Sequence, residues 1–517
     1  MPKETNKYYL TTPLYYVNDV PHIGHSYTTL AADVLARYHR LRGREVYFLT
    51  GTDEHGQKIA DAAGAKNISP KAFTDEIVLK FQDAWKKMGI SYDQFIRTTD
   101  KAHHETVEAV FKKLQSTGDI YLGEYEGWYC KNDETFWTES QLIEGKCPNP
   151  ECKRAVERVT EKSYFFKLSK YGQNLLDYYE KFPEATSPKG RRNEVLSFIK
   201  QGLQDLSISR TNVKWGIPVP GDEAHTIYVW FDALINYVSS LGYLTADDAK
   251  FKKYWPADVH LIGKEINRFH SIIWPAMLMA LQIDLPKMVY AHGWWTVEGE
   301  KMSKSKGNVV DPLALADEYG LDVVRYFLMR EVPFGGDGDF SKANLEKRYE
   351  TDLANDLGNL LSRSVTMLVK YFNGVAPQLD KSALDDEDGD VIKSLNALEA
   401  QIEKSMQGIQ IHQTLEHLWN HLSLCNKYID ISAPWTLAKE NKMAELGNCL
   451  VILLESLRVI NYFVAPYMPT TSEKIFKVLN IATPLSKDFK LSFQEKYMGG
   501  QLTKPEPLFP RKETVKK

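Results

Sequence analysis

The segment His22-Ile23-Gly24-His25 sets two imidazoles three residues apart, with a residue lacking a β-carbon just before the second. At the positive end of a helix such a pair suits a triphosphate: imidazoles donate to phosphoryl oxygens, and glycine lets a flat base approach the backbone. A second segment, Lys301-Met302-Ser303-Lys304-Ser305-Lys306-Gly307, gathers three lysines and two hydroxyls in a loop ending in glycine. It has the makings of a phosphate clamp, because a lysine ammonium follows negative charge as it develops on a phosphorus centre. Taken singly, each segment also has an ordinary reading, as helix-start histidines or as a solvated basic loop.

Three of the five cysteines, Cys130, Cys147 and Cys152, fall within 23 residues. Five are too few for a disulfide framework in a chain of this length, and thiols so closely spaced in a reducing compartment raise the question of a metal. Two other nucleotide motifs fail. Gly51 and Gly56 have phosphate-loop spacing, but Gln57 stands where lysine is needed, and no G-x-G-x-x-G opens the first helix.

The elements that must position these groups follow from periodicity. Residues 8–17 read as a strand, 26–39 as a helix with Leu30, Val34, Leu35 and Tyr38 on one face and Gly43 as its stop, and 44–49 as a second strand. Such a β-α-β unit builds parallel, doubly wound sheets, and places residues 18–26 at strand carboxyl ends, where α/β sheets bind nucleotides. Between about 120 and 225 the Gly-, Cys-, Pro- and Lys/Arg-rich texture predicts an inserted domain. Strands at 226–231, 260–263 and 288–291 are expected to complete the split sheet, and from about Leu345 the pattern is helical. The predicted fold is α/β: a split Rossmann-type parallel sheet with an inserted connective domain, followed by an all-α helix bundle. Its expected segments are 1–119, 120–225, 226–310, 311–345 and 346–517.

With 43% hydrophobic and 26% charged residues over 517 positions, the chain is globular rather than disordered, collagen-like or low-complexity. Its longest apolar stretch, Ile272 to Leu281, contains Pro275 and falls short of the ~18 residues a membrane span requires. The first residues carry no apolar presequence core and no arginine before Arg37, so a cytosolic location is expected. A net charge of −4 argues against a DNA coater without excluding a nucleic acid met through local basic patches.

Together, Tyr15 to His25 ending in HIGH and Lys301 to Ser305 reading KMSKS resemble the two signature motifs of class I aminoacyl-tRNA synthetases. The likeness narrows to the methionyl-tRNA synthetase family through Leu14 and Tyr16, the segment Phe48 to Gly56, Tyr228 to Ala233, Gly263-Lys264, Phe269 to Ser271 and Trp274 to Ala276. It spans residues 8 to about 480.

That resemblance implies methionine and ATP as substrates, with Mg2+, and tRNA(Met), initiator included, as partner. His22, Gly24, His25, Lys301, Lys304 and Arg210 are expected on the ATP side, with Lys304, Lys301, His22 and His25 serving the chemistry. Trp230, Ala233, Leu234, Tyr237, Phe269 and Trp274 would wall a thioether pocket, since sulfur packs well beside aromatic rings. Asp53 and the Leu14 backbone would meet the substrate ammonium, with Tyr16 and His270 near the side chain or its sulfur. The insertion resembles a single zinc knuckle in which Cys130, Asp133, Cys147 and Cys152 would hold Zn2+; Asp133 stands where another cysteine is common, and the last spacing is long. Zn2+ tolerates such a shell, and three buried thiols holding a knuckle-shaped hairpin are the alternative. Asn359 and Arg363 share a helix face, Trp435 follows Pro434, and the family uses the matching positions on the CAU anticodon.

The function so implied is methionine activation to the adenylate and transfer to tRNA. A synthetase for Ile, Val or Leu would carry a larger editing insertion than the 275 residues between His25 and Lys301 allow. A catalytically silent tRNA-binding scaffold would not need both motifs intact. The chain stops soon after the bundle, without an appended OB-fold, which predicts a monomer.

Overall fold

The computed structural model describes residues 6–17, 21–133, 135–137, 139–149, 152–297, 299–301, 310–481 and 489–510. By compactness the chain forms two units, one of residues 1–21 and 43–292, the other of residues 22–42 and 293–517. These cut across the expected segments: the insertion clusters with the parallel sheet, whereas the first helix clusters with the C-terminal half.

The first unit is built on a parallel sheet whose described strands run in the order Gln94–Arg97, Glu45–Asp53, Lys7–Tyr16, Val259–Gly263, Val289–His292 and Thr186–Ser187. Strand Lys7–Tyr16 is buried almost throughout, as a parallel strand covered on both faces must be. Its register against the second strand shifts between Thr11 and Leu14, then sets Leu14 opposite Gly51 and Tyr16 opposite Asp53. A β-carbon on Gly51 would lie 2.0 Å from the Ile96 carbonyl oxygen, so only glycine lets three strands converge there.

Two expectations need correction. Residues 226–231 do not form a strand of the parallel sheet: Asp222–Ile227 pairs antiparallel with Ser209–Arg210 and Pro218–Val219, and Val229–Leu234 is a helix. The apolar run suits a strand locally, but Phe231, Leu234, Ile235 and Val238 bury one helical stripe in the core. The insertion, besides its own sheet of Thr135–Trp137, Ile120–Cys130, Glu157–Phe166 and Leu206–Ser207, lends Thr186–Ser187 to the edge of the parallel sheet.

In the second unit, helix Ile23–Leu41 buries Asp33, which receives Arg325 Nη2 of helix Leu321–Arg330 at 2.7 Å. Both side chains are fully buried. The helical array continues through Asn359–Phe372, Asp386–Gln407, Ile411–Ser432, Met443–Val464 and Pro469–Val478. Helix Met443–Val464 is buried at every position from Leu446 onward. Residues 489–510 are not helical as expected but irregular: Arg458, paired with Glu455, donates to the carbonyls of Lys490 and Ser492. Among the described residues, no helix is long and apolar enough to cross a membrane.

Candidate functional site

His22 is the N-cap of helix Ile23–Leu41. Its Nδ1 accepts the Gly24 N–H at 3.1 Å, and His25 Nδ1 accepts the His22 N–H at 3.3 Å, closing a capping box made of two imidazoles. The rings stack with centroids 3.9 Å apart. With Nδ1 accepting on each, the neutral rings carry their protons on Nε2, the form that donates to an anion. Burial, then the neighbouring His22, pushes His25 well below the ordinary histidine range. A β-carbon on Gly24 would stand 2.9 Å from His22 Cε1, so this glycine serves the cap itself. The first turn of this helix contains no acidic residue of its own, and its N–H groups form the positive end of the helix dipole.

The expected pocket residues come together in the first unit. Leu14, Tyr16, Trp230 and Phe269 are partly buried and pack on one core cluster that contains Leu234, Tyr237 and Trp274. Trp230 and Phe269 stack at 3.8 Å, and Trp230 meets His270 edge to face at 6.4 Å. Tyr237 donates its phenol to His270 Nε2 at 2.7 Å, while His270 Nδ1 donates to the Ile266 carbonyl at 3.0 Å. This neutral tautomer agrees with burial pulling the His270 pKa down to about 4. Ala233 is buried beside this floor, and Trp274, fully buried, donates Nε1–H to His260 Nε2 at 3.2 Å. His260 in turn holds Thr11 Oγ1 at 2.7 Å. Trp274 is thus part of the floor, fixed by a hydrogen bond.

Asp53 ends the second strand and is 9% exposed; its Oδ1 accepts the His55 N–H at 3.5 Å. The next two side chains point into buried polar networks that the sequence did not disclose. Glu54 takes two N–H bonds from Arg97, at 2.7 and 2.8 Å, and hydroxyls from Thr52 and Thr99. His55 Nδ1 lies 2.6 Å from Asp232 Oδ2, and His103 Nε2 lies 2.7 Å from Asp232 Oδ1. Burial works against the Asp232 charge, but the imidazoles outweigh it and hold the carboxyl well below the usual carboxylate range. A lone carboxylate inside the apolar run Tyr228 to Leu234 was the available signal, since a buried charge demands partners.

Arg210 is buried: Nη1 donates to the Ser207 hydroxyl at 2.9 Å and the Ser209 carbonyl at 2.7 Å, and the guanidinium lies 4.4 Å from the centroid of the Tyr228 ring. Lys301 pairs with Thr296 in a short antiparallel ladder. Lys304, with Met302, Ser303 and Ser305, lies outside the described residues.

In the second unit, Arg363 lies 5.9 Å from the Trp435 ring centroid and donates to Asp430 at 2.9 Å. Trp435 is 48% exposed, and Asn359, one turn before Arg363, is exposed as well. An indole, a guanidinium and an amide on one accessible surface are groups that stack on and hydrogen-bond to unpaired bases.

In the insertion, the sulfurs of Cys130, Cys147 and Cys152 lie within 4.8 Å of one another. A tetrahedral zinc thiolate shell has sulfur–sulfur edges of about 3.8 Å at Zn–S ≈ 2.3 Å, so the cluster fits the ion. Asp133 Oδ2 is 3.6 Å from Cys147 Sγ, and its Oδ1 accepts from Asn149 at 2.7 Å. Asn132 donates to Cys152 Sγ at 3.4 Å. Burial raises the thiols of Cys130 and Cys147; at Cys152 burial acts the same way but is outweighed by hydrogen bonds from the Arg154 backbone, Cys130 and Asn132.

The family model for class I tRNA synthetases (M) matches residues 8–159 and 149–365, and the anticodon binding domain of methionyl tRNA ligase matches residues 380–515. The methionine–tRNA ligase of Caldanaerobacter subterraneus subsp. tengcongensis is 56% identical over 98% of this chain and 78% of its own length. That of Clostridium acetobutylicum is 50% identical over 99% and 79%. Among solved structures, Mycobacterium tuberculosis methionyl-tRNA synthetase in complex with methionyl-adenylate superimposes with a TM-score of 0.92 at 42% identity, covering 98% of this chain and all of that one.

Proposed function

The chain belongs to the methionyl-tRNA synthetases of class I, and from that premise we propose how its residues share the work. The carboxylate of L-methionine attacks the α-phosphorus of ATP, releasing pyrophosphate and leaving methionyl-adenylate. A terminal ribose hydroxyl of tRNA(Met) then attacks the anhydride carbonyl, loses its proton and releases AMP. Neither step needs much acid–base chemistry, so orientation and electrostatics supply most of the rate.

The observation that carries the methionine assignment is the Trp230–Phe269 stack beside a His270 ring fixed by Tyr237. An unbranched thioether can lie along the edge of that closed stack and against the His270 ring, where a branched side chain would crowd them. Asp53, with the Leu14 backbone, takes the ammonium end, and Tyr16 lies with His270 along the side chain. Ala233, Leu234 and Trp274 shape the floor. His22 and His25 donate Nε2–H to phosphate oxygens at the helix start, with Gly24 between them. Lys301 and Lys304 stabilise the charge that builds on the α-phosphorus as pyrophosphate leaves, and Mg2+ accompanies the ATP. Arg210 belongs to the same ATP side; to reach a phosphate, its guanidinium must leave its bonds to Ser207 and Ser209.

Asn359, Arg363 and Trp435 read the anticodon of tRNA(Met), elongator and initiator alike; the anticodon-domain match over residues 380–515 supports Trp435, and Arg363, 5.9 Å from the Trp435 ring, with Asn359 one turn before it, extends the same surface. Zn2+ would be held by the thiolates of Cys130, Cys147 and Cys152 with the Asp133 carboxylate, fixing the insertion's hairpins. Free thiols in such a cluster favour a reducing compartment, in keeping with the cytoplasm.

The test is pyrophosphate exchange with methionine, norleucine and leucine. Norleucine keeps the unbranched shape and should be turned over measurably; leucine should lag methionine by at least about tenfold, since methylene-scale differences are worth ~1–3 kcal/mol. Leucine turned over as efficiently as methionine would overturn the pocket assignment.

A further inference from the structure

We infer that Asp232 is a positioning residue that fixes the ammonium end and the thioether end of the methionine pocket relative to each other. The inference rests on the methionine assignment above. Asp232 follows Trp230 by two residues on helix Val229–Leu234, and His55 follows Asp53 by two on the turn after the second strand. Asp232 Oδ2 holds His55 Nδ1 at 2.6 Å, so one buried carboxylate ties the turn bearing the ammonium partner to the helix bearing the aromatic wall.

The other carboxylate oxygen makes the tie rigid. Oδ1 holds His103 Nε2 at 2.7 Å, from helix Lys101–Ser116, and His103 Nδ1 is held by the Ser239 hydroxyl at 2.7 Å. An anionic Asp232 accepts one N–H from each imidazole, and the Ser239 hydroxyl meets the remaining His103 nitrogen, so both carboxylate oxygens and both His103 nitrogens are committed. Asp232, His55 and His103 are all at most 3% exposed. The turn's backbone has a separate support: Glu54 is held by Arg97, the Trp215 indole donates to the Glu54 carbonyl, and the Gly56 N–H donates to the Trp215 carbonyl. Loss of Asp232 therefore releases the His55 ring and the Trp230 helix from each other without freeing the turn.

The test compares Asp232→Asn and Ser239→Ala with the unaltered full chain in pyrophosphate exchange, varying methionine and ATP separately. Methionine-dependent exchange by the unaltered chain tests the functional assignment itself, so its failure is distinct from failure of this inference. The amide introduced by Asp232→Asn presents an N–H where an imidazole N–H already points. That variant is expected to raise the methionine KM about tenfold or more, with the ATP KM unchanged and kcat within about threefold. Ser239→Ala, which acts only through His103, should raise the methionine KM by roughly two- to fivefold, and the double variant should be no worse than Asp232→Asn alone, because both act on one network. An unchanged methionine KM in Asp232→Asn, or equal losses for methionine and ATP, overturns the inference. If thermal unfolding shows that Asp232→Asn does not fold, Ser239→Ala decides alone: a methionine-specific KM rise supports the inference and no change overturns it.

Discussion

Tyr237 and His270 form a donor–acceptor pair of fixed polarity: the phenol O–H points at Nε2 across 2.7 Å because Nδ1–H is committed to the Ile266 carbonyl. Tyr237→Phe removes the donor and leaves a buried acceptor unpaired, at a cost of about 1–3 kcal/mol. The methionine dissociation constant should rise by roughly five- to a hundredfold while that of ATP stays put. Equilibrium binding of each ligand, measured separately, checks this, and an unchanged methionine affinity would show that the pair lies outside the pocket.

Two buried histidines make the fold sensitive to acid. Burial depresses His270 and His421 from 6.5 to about 4 in the folded chain. Between those values the unfolded rings take up protons that the folded rings refuse, so stability present above pH 6.5 is lost as the pH falls towards 4. A shift of this size is worth about 3 kcal/mol per ring. Thermal unfolding followed from pH 7 to 4.5 should show a falling midpoint, and His421→Gln should shallow the slope.

Lys304→Ala should slow adenylate formation by about two to three orders of magnitude and leave methionine affinity nearly intact, because its charge acts on the transferring phosphoryl group. Stopped-flow adenylate formation alongside methionine binding distinguishes the two effects. Equal losses in both would reassign the lysine to substrate binding.

Trp435→Ala should separate the half-reactions. The indole is exposed beside Arg363, and it is none of the residues proposed to hold methionine or ATP. Loss of one aromatic stack costs ~1–3 kcal/mol, so tRNA charging should fall about five- to a hundredfold while pyrophosphate exchange persists. A parallel loss of both activities with thermal stability would make Trp435 a structural residue.

Metal analysis of the purified chain should find zinc near one equivalent. Asp133→Cys, which replaces a hard oxygen donor by a thiolate, should slow zinc loss to a chelator. Absence of zinc from both forms would leave the three thiols as a hairpin core without a metal.

What the sequence discloses here is what local spacing can carry. The strand before His22 and the helix after it were legible because each depends on neighbours a few residues away, whereas Trp230, Phe269 and His270 were singled out through their resemblance to a family's motifs. Residues 229–231 of helix Val229–Leu234 were read as part of a strand over 226–231, because the five apolar and aromatic residues from Ile227 to Phe231 satisfy either period until the core chooses. The Asp232 network escaped for a different reason: it joins positions 177 and 129 residues apart, and no periodicity marks side chains that meet only after the sheet has formed. Gly24 was legible as a glycine that something must approach, yet that something is its own neighbour's ring.

The buried pair of Asp33 and Arg325 also sets a timetable for synthesis. The two residues are 292 positions apart, and a ribosome adding about 5–20 residues per second needs roughly 15 to 60 s to cover that distance. Throughout that interval the buried carboxylate of the first helix has Arg37 of its own helix, at 2.7 Å, but not Arg325, and the apolar face of Leu30, Val34 and Leu35 is uncovered. The nascent N-terminal segment is therefore a natural client for a chaperone until the second half of the chain emerges to claim it.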